Sequence, residues 1–155
     1  MEEERLNVYQ HVARFKNKYP LTIGWRYRKN ASIVEKHLNP GEYVVYAFIA
    51  QKNNNPFNIF GSAVVANERI LIGRKRVVFG YFLDSITPDL FNDLKILGGI
   101  IWGKVIIDTV KELVILSDIS NDALPEIYSK ISDYMMKMKL RFSTSDNCNH
   151  SENME

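Results

Sequence analysis

The chain is poor in the residues from which catalytic and metal centres are built. It holds one cysteine, Cys148, and three histidines, His11, His37 and His150. A single cysteine excludes an internal disulfide framework and a multi-cysteine metal site. None of the histidines has a second ligand at helical spacing, so zinc is not expected. The sequence lacks a Gly-x-Ser-x-Gly elbow, and Cys148 sits in a polar tail where no base is held beside it. Gly98, Gly99 and Gly103 have the wrong spacing for a dinucleotide fingerprint and read instead as a tight connection. These absences predict no enzyme, no cofactor and no metal.

Long apolar runs are missing too. A helical membrane span needs ~20 apolar residues; the best candidate, residues 97–107, is about half that and is broken by Gly98, Gly99, Gly103 and Lys104. The first residues, Met1-Glu2-Glu3-Glu4-Arg5, are acidic where a signal peptide is basic and then apolar, so a soluble cytoplasmic protein is expected.

What is present suits one globular domain: 155 residues, 46% hydrophobic and 25% charged, net charge +2. The charge is unevenly spread. Between Arg5 and Lys36 stand eight basic residues against the single acid Glu35. Arg26, Arg28 and Lys29, interleaved with Trp25 and Tyr27, form a candidate partner-binding arm, while a pI of about 8.6 is too low for a dedicated nucleic-acid binder.

Along the chain, Val8, Val12, Phe15 and Tyr19 recur at helical spacing and predict an amphipathic helix over residues 4–19, stopped by Pro20. Ser32 and Glu35 match a capping box and predict a short second helix ending near Leu38. From residue 42 the composition turns β-branched and aromatic: segments 43–49, 59–65, 70–72 and 77–83 read as strands joined by hairpins too short for crossover helices. After Thr87-Pro88, shorter strands are expected over 90–96, 103–108 and 112–116. A last helix is predicted from Leu124, Ile127, Tyr128, Ile131, Tyr134, Met135 and Met138, with Asp122 as its N-cap. Beyond Phe142 the composition is polar, and residues 142–155 are expected to be disordered.

Four strands, three shorter strands and one amphipathic helix is the element order of a pleckstrin-homology-like (PH-like) barrel. The local sequence resembles the bacterial PH-like domains of the YokE type: Glu42 starts the first strand, Ala66-Asn67-Glu68-Arg69 precedes an apolar strand, and Leu83-Asp84-Ser85-Ile86 runs into a break. The similarity covers about residues 33–138. It implies a mainly β α+β fold, seven antiparallel strands in two near-orthogonal sheets capped by a C-terminal helix. The expected division is an N-terminal helix and basic linker (1–30), the barrel (31–141) and the tail (142–155).

The resemblance implies a non-catalytic module that binds a protein partner or itself. The first helix must cover its apolar stripe on its own barrel or on a neighbour's. The alternative is peripheral binding to anionic membrane through the turn at Arg74, Lys75 and Arg76 and the basic N-terminal arm. Lipid-binding PH domains carry a lysine near the end of the first strand, which Lys52 could supply, and a basic-x-Arg pair on the second, which Asn58-Ile59-Phe60-Gly61-Ser62 lacks. Lys52 with Arg74, Lys75 and Arg76 is the candidate anion-binding patch.

Overall fold

The computed structural model describes residues 5–22, 27–52, 61–75 and 79–151, the side chains of 27, 75 and 142–151 excepted. Helix α1 (Val8–Lys18) starts at Asn7, whose side chain accepts from the Gln10 amide at 2.8 Å while the Gln10 side chain accepts from the Asn7 amide at 2.9 Å. This reciprocal pair satisfies first-turn donors. Helix α2 (Tyr27–Lys36) begins earlier than expected, so Ser32 lies in its interior and caps nothing. Glu35 serves the other helix instead. Its carboxylate accepts from the Val8 amide at 2.9 Å, where a negative charge meets the positive end of the α1 dipole.

Seven strands follow: β1 (Val44–Lys52), β2 (Gly61–Ala66), β3 (Ile70–Lys75), β4 (Tyr81–Ile86), β5 (Phe91–Leu97), β6 (Trp102–Thr109) and β7 (Leu113–Ser120). All neighbours are antiparallel, in the order β4-β3-β2-β1-β7-β6-β5. β1 pairs with β2 along most of its length but with β7 only through Gln51 and Lys52. The sheet therefore curls into a half-barrel whose ends, β4 and β5, are not joined by a ladder. That is more open than a closed shell.

Helix α3 (Leu124–Ser151) enters through a 3-10 turn (Asn121–Ala123) that contains Asp122, so the helix itself starts at Leu124. Its stripe is buried as expected at Leu124, Ile127, Ile131, Met135 and Met138, whereas Tyr128 faces solvent. The helical backbone passes Phe142 and continues to Ser151. Serine, threonine and asparagine are weak helix formers, yet residues 142–151 contain no proline or glycine to end it.

The N-terminal helices belong to the same core. Val8, Val12 and Phe15 are buried within the cluster that holds β1 to β7 and α3. The Phe15 ring stands edge-on to Tyr46 at 6.3 Å and tilted against Phe48 at 6.1 Å, separations at which aromatic pairs attract. α2 lies against β3 at Gly73, where a Cβ would come within 2.6 Å of Val34 Cγ2, so only glycine admits the helix this closely. With helices outside and barrel inside, β2 is buried at every residue. By contrast β6 alternates between buried and open positions, the mark of a strand with one wet face. Helices α1 and α2 thus pack into the same core as the strands, and α1 covers its stripe on its own barrel.

Candidate interaction surfaces

The residues that carried the family resemblance meet in one structural knot. Glu42, its side chain fully buried, takes a bidentate pair from Arg69: Nε to Oε2 at 3.0 Å and Nη2 to Oε1 at 3.0 Å. Arg69 also donates to the His37 carbonyl at 3.0 Å and to Ser85 Oγ at 3.3 Å. Asn67 Oδ1 accepts from the Tyr43 amide at 2.8 Å. The knot ties α2, β1, the β2–β3 turn and β4 together. It also walls a cleft of about 530 Å³ that reaches Asp89, Met138 and Arg141.

The expected anion-binding residues divide. Lys52 is buried and donates to Asp84 at 2.9 Å and Glu112 at 3.3 Å. Arg74 is buried too, its Nη2 3.7 Å from Asp84 and its guanidinium 4.9 Å from the Phe82 ring centroid. Burial lowers its pKa from the ordinary arginine value, with Asp84 and Glu112 opposing. Two cations thus face two carboxylates, and both side chains are buried rather than presented to solvent as a free anion-binding patch would be. The reason is strand length: β1 runs on to Lys52 and β3 past Arg74, so both side chains follow the strand faces. Gly61 leaves Arg74 its space; a Cβ there would meet Arg74 Cγ at 2.5 Å. Arg76 and the side chain of Lys75 lie outside the described residues.

The described part of the basic arm lies in α2. Arg26 and Trp25 lie outside the described residues, but Arg28 and Lys29 are exposed in the first turn of α2, and the Arg28 guanidinium is 5.4 Å from the Tyr9 ring centroid. Other members of the run are also used internally. Arg5 stacks on Tyr43 at 3.9 Å, Lys16 donates to the Pro20 and Thr22 carbonyls, and Lys18 pairs with Glu126 at 2.6 Å.

Glu126 holds a junction of α1, β1 and α3, since it also accepts from the Tyr46 hydroxyl at 2.8 Å. Burial pushes its pKa up, but its hydrogen bonds with Lys18, Tyr46 and Tyr19 outweigh that and leave it lowered from 4.5. A carboxylate depressed on folding stabilises the protein above its unfolded value and loses that contribution as pH falls through the folded value. The Tm advantage of the wild type over Glu126→Gln is therefore expected to be full at neutral pH, to shrink as pH falls below about 4.5, and to disappear only once the folded-state carboxyl is itself protonated, measured by thermal unfolding across the acid range.

A family model described as Bacterial PH domain matches residues 38–133. The chain belongs to the bacterial PH domain family. No curated protein matches it. The matched span of this bacterial PH domain holds all seven strands and the first turns of α3 but neither α1 nor α2. Among the described residues, no group of three or more His, Cys, Asp or Glu could hold a metal ion, and no helix is long and apolar enough to cross a membrane.

The surface of this bacterial PH domain carries an apolar prominence at the β5–β6 hairpin. Ile100 is 99% exposed, and Leu21, Leu97, Ile101 and Trp102 are each at least 40% exposed. The hairpin is tied down by side-chain hydrogen bonds. Asn121 Oδ1 accepts from the Gly99 amide at 3.0 Å, Asn121 Nδ2 donates to the Gly99 carbonyl at 2.6 Å, and Trp102 Nε1 donates to the Leu21 carbonyl at 2.7 Å. A Cβ on Gly99 would meet the Trp102 carbonyl oxygen at 2.2 Å, so the turn requires glycine. The sequence reading treated these glycines as a barrel connection and missed the surface. The signal was there in the uncharged run between Lys95 and Lys104. Asn121→Ala is expected to leave Tm within ~2–4 °C of wild type while raising amide exchange at residues 98–102, measured by hydrogen–deuterium exchange.

Proposed function

We propose that this bacterial PH domain is a non-catalytic interaction module that docks a protein partner on the β5–β6 hairpin. One observation carries the reading: five large apolar side chains, one of them tryptophan, stand exposed around a turn fixed by Asn121. Exposed apolar patches mark docking sites, tryptophan is enriched among residues that dominate binding, and a pre-ordered loop reduces the entropic cost of association. Each large anchor contributes ~1.5–3 kcal/mol when fully buried. The test is co-purification from the native cell with wild-type and Ile100→Asp protein. A partner held by the wild type and lost from the variant, at unchanged Tm, supports the reading; equal recovery with both contradicts it.

Self-association through β4 is a second reading. That strand ends the sheet, and Phe79, Tyr81 and Phe82 are exposed on or beside it, which suits edge-to-edge pairing of two copies. Sedimentation equilibrium should give a dimer that Phe82→Lys dissociates; a monomer at about 100 µM would remove this reading. The anionic-membrane alternative is weakened because Lys52 and Arg74 face Asp84 and Glu112.

A further inference from the structure

A cleft of about 260 Å³ opens between α1 and α3, lined by His11, Arg14, Lys18, Tyr46, Glu126 and Lys130 among others. His11, Arg14 and Lys18 follow one another at i, i+3 and i+7, the spacing of a single helix face. Glu126 and Lys130 are four residues apart on α3, where they would ordinarily pair. Here they do not. The Glu126 carboxylate is occupied by Lys18 on one oxygen and the Tyr46 hydroxyl on the other. That leaves Arg14 and Lys130 converging from two helices without a carboxylate of their own among the described residues. With His11 neutral, three cations and one anion give the cleft a charge of +2.

The half-buried His11 ring registers both cations. Its pKa is lowered first by burial and then by Arg14, the Val44 backbone opposes, and Lys130 lowers it further. Like charges gathered at a concave site in excess of its one carboxylate repel one another and focus a positive potential on the opening. An anion that bridged them would relieve that repulsion and gain charge-assisted hydrogen bonds.

We propose that the α1–α3 cleft binds a phosphate group, as inorganic phosphate or a small phosphomonoester, between Arg14 and Lys130 with His11 at its wall. The volume favours a small ligand, since drug-sized ligands occupy about 300–1,000 Å³. The site lies on residues of α1 and α3, apart from the β5–β6 docking surface, and stands or falls independently of it.

The test follows the His11 imidazole by proton NMR on the full chain, titrated with inorganic phosphate, glycerol 3-phosphate or phosphatidic-acid vesicles, with sodium chloride at matched ionic strength as reference. A bound anion favours imidazolium, so the apparent pKa of His11 should rise saturably with phosphate and with the monoester. Arg14→Gln and Lys130→Gln should each weaken binding about tenfold or more, the loss of one charge-assisted bond. Both positions are exposed, so the variants should keep the wild-type Tm, and Lys137→Gln should bind normally. A shift that tracks ionic strength alone, survives the double variant, or occurs only with vesicles would overturn the proposal.

Discussion

Arg69→Ala is expected to lower the unfolding free energy by about 3–5 kcal/mol, the typical result of removing one member of a buried ion pair. The loss is large because Glu42 would remain behind. Its side chain is inaccessible to water and its Oε1 otherwise keeps only the Asn39 amide at 3.0 Å. A protein of this size has ~5–15 kcal/mol in total, so the variant should be partly unfolded at 37 °C. The double variant Glu42→Met with Arg69→Met should recover much of the loss, because an apolar pair leaves no orphaned charge. Urea unfolding of the single and double variants measures both. If Arg69→Ala and the double variant lost the same amount, the orphaned carboxylate would not be the cause.

Phe15→Ala should cost about as much, ~3–5 kcal/mol for a large buried aromatic. Phe15 fills the space between α1 and the Tyr46 and Phe48 rings of β1, and the neighbouring Val8 and Val12 leave little freedom to close the cavity. The side chain lies outside the family span, so the loss would show that the folded unit of this protein is larger than the shared family core. If Phe15→Ala kept wild-type stability in urea, α1 would be an appendage after all.

Most strands were legible because their signals are local. Apolar β-branched segments separated by Asn, Pro and Gly punctuate the chain, and the seven strands fall close to the expected segments. β4 lies later than expected, at Tyr81–Ile86, because apolar composition alone does not mark where a strand meets its partner. The start of α2 was misread for a similar reason. Ser32 and Glu35 have the spacing of a capping box, but Glu35 satisfies a donor twenty-seven positions away in sequence, which no local pattern reveals.

The charged residues were read least well. Lys52 and Arg74 carry the same local signature as hairpin cations, and what buries them is remote: Asp84 and Glu112, together with the missing side chain at Gly61. Likewise the α1–α3 cleft depends on Glu126 choosing Lys18 and Tyr46 over Lys130. Glu42, Asn67 and Arg69 were visible as motif residues, yet their role as an interlocked structural knot emerged only when the chain brought them together.

Docking at the β5–β6 hairpin, as proposed, is tested most directly by placing a photo-crosslinking amino acid at position 100 and irradiating intact cells of the natural host. A discrete protein adduct is expected from position 100 that disappears when Trp102 is replaced by alanine, and no such adduct from position 137 on the outer side of α3. No adduct at 100, or the same adduct from both positions, would contradict it.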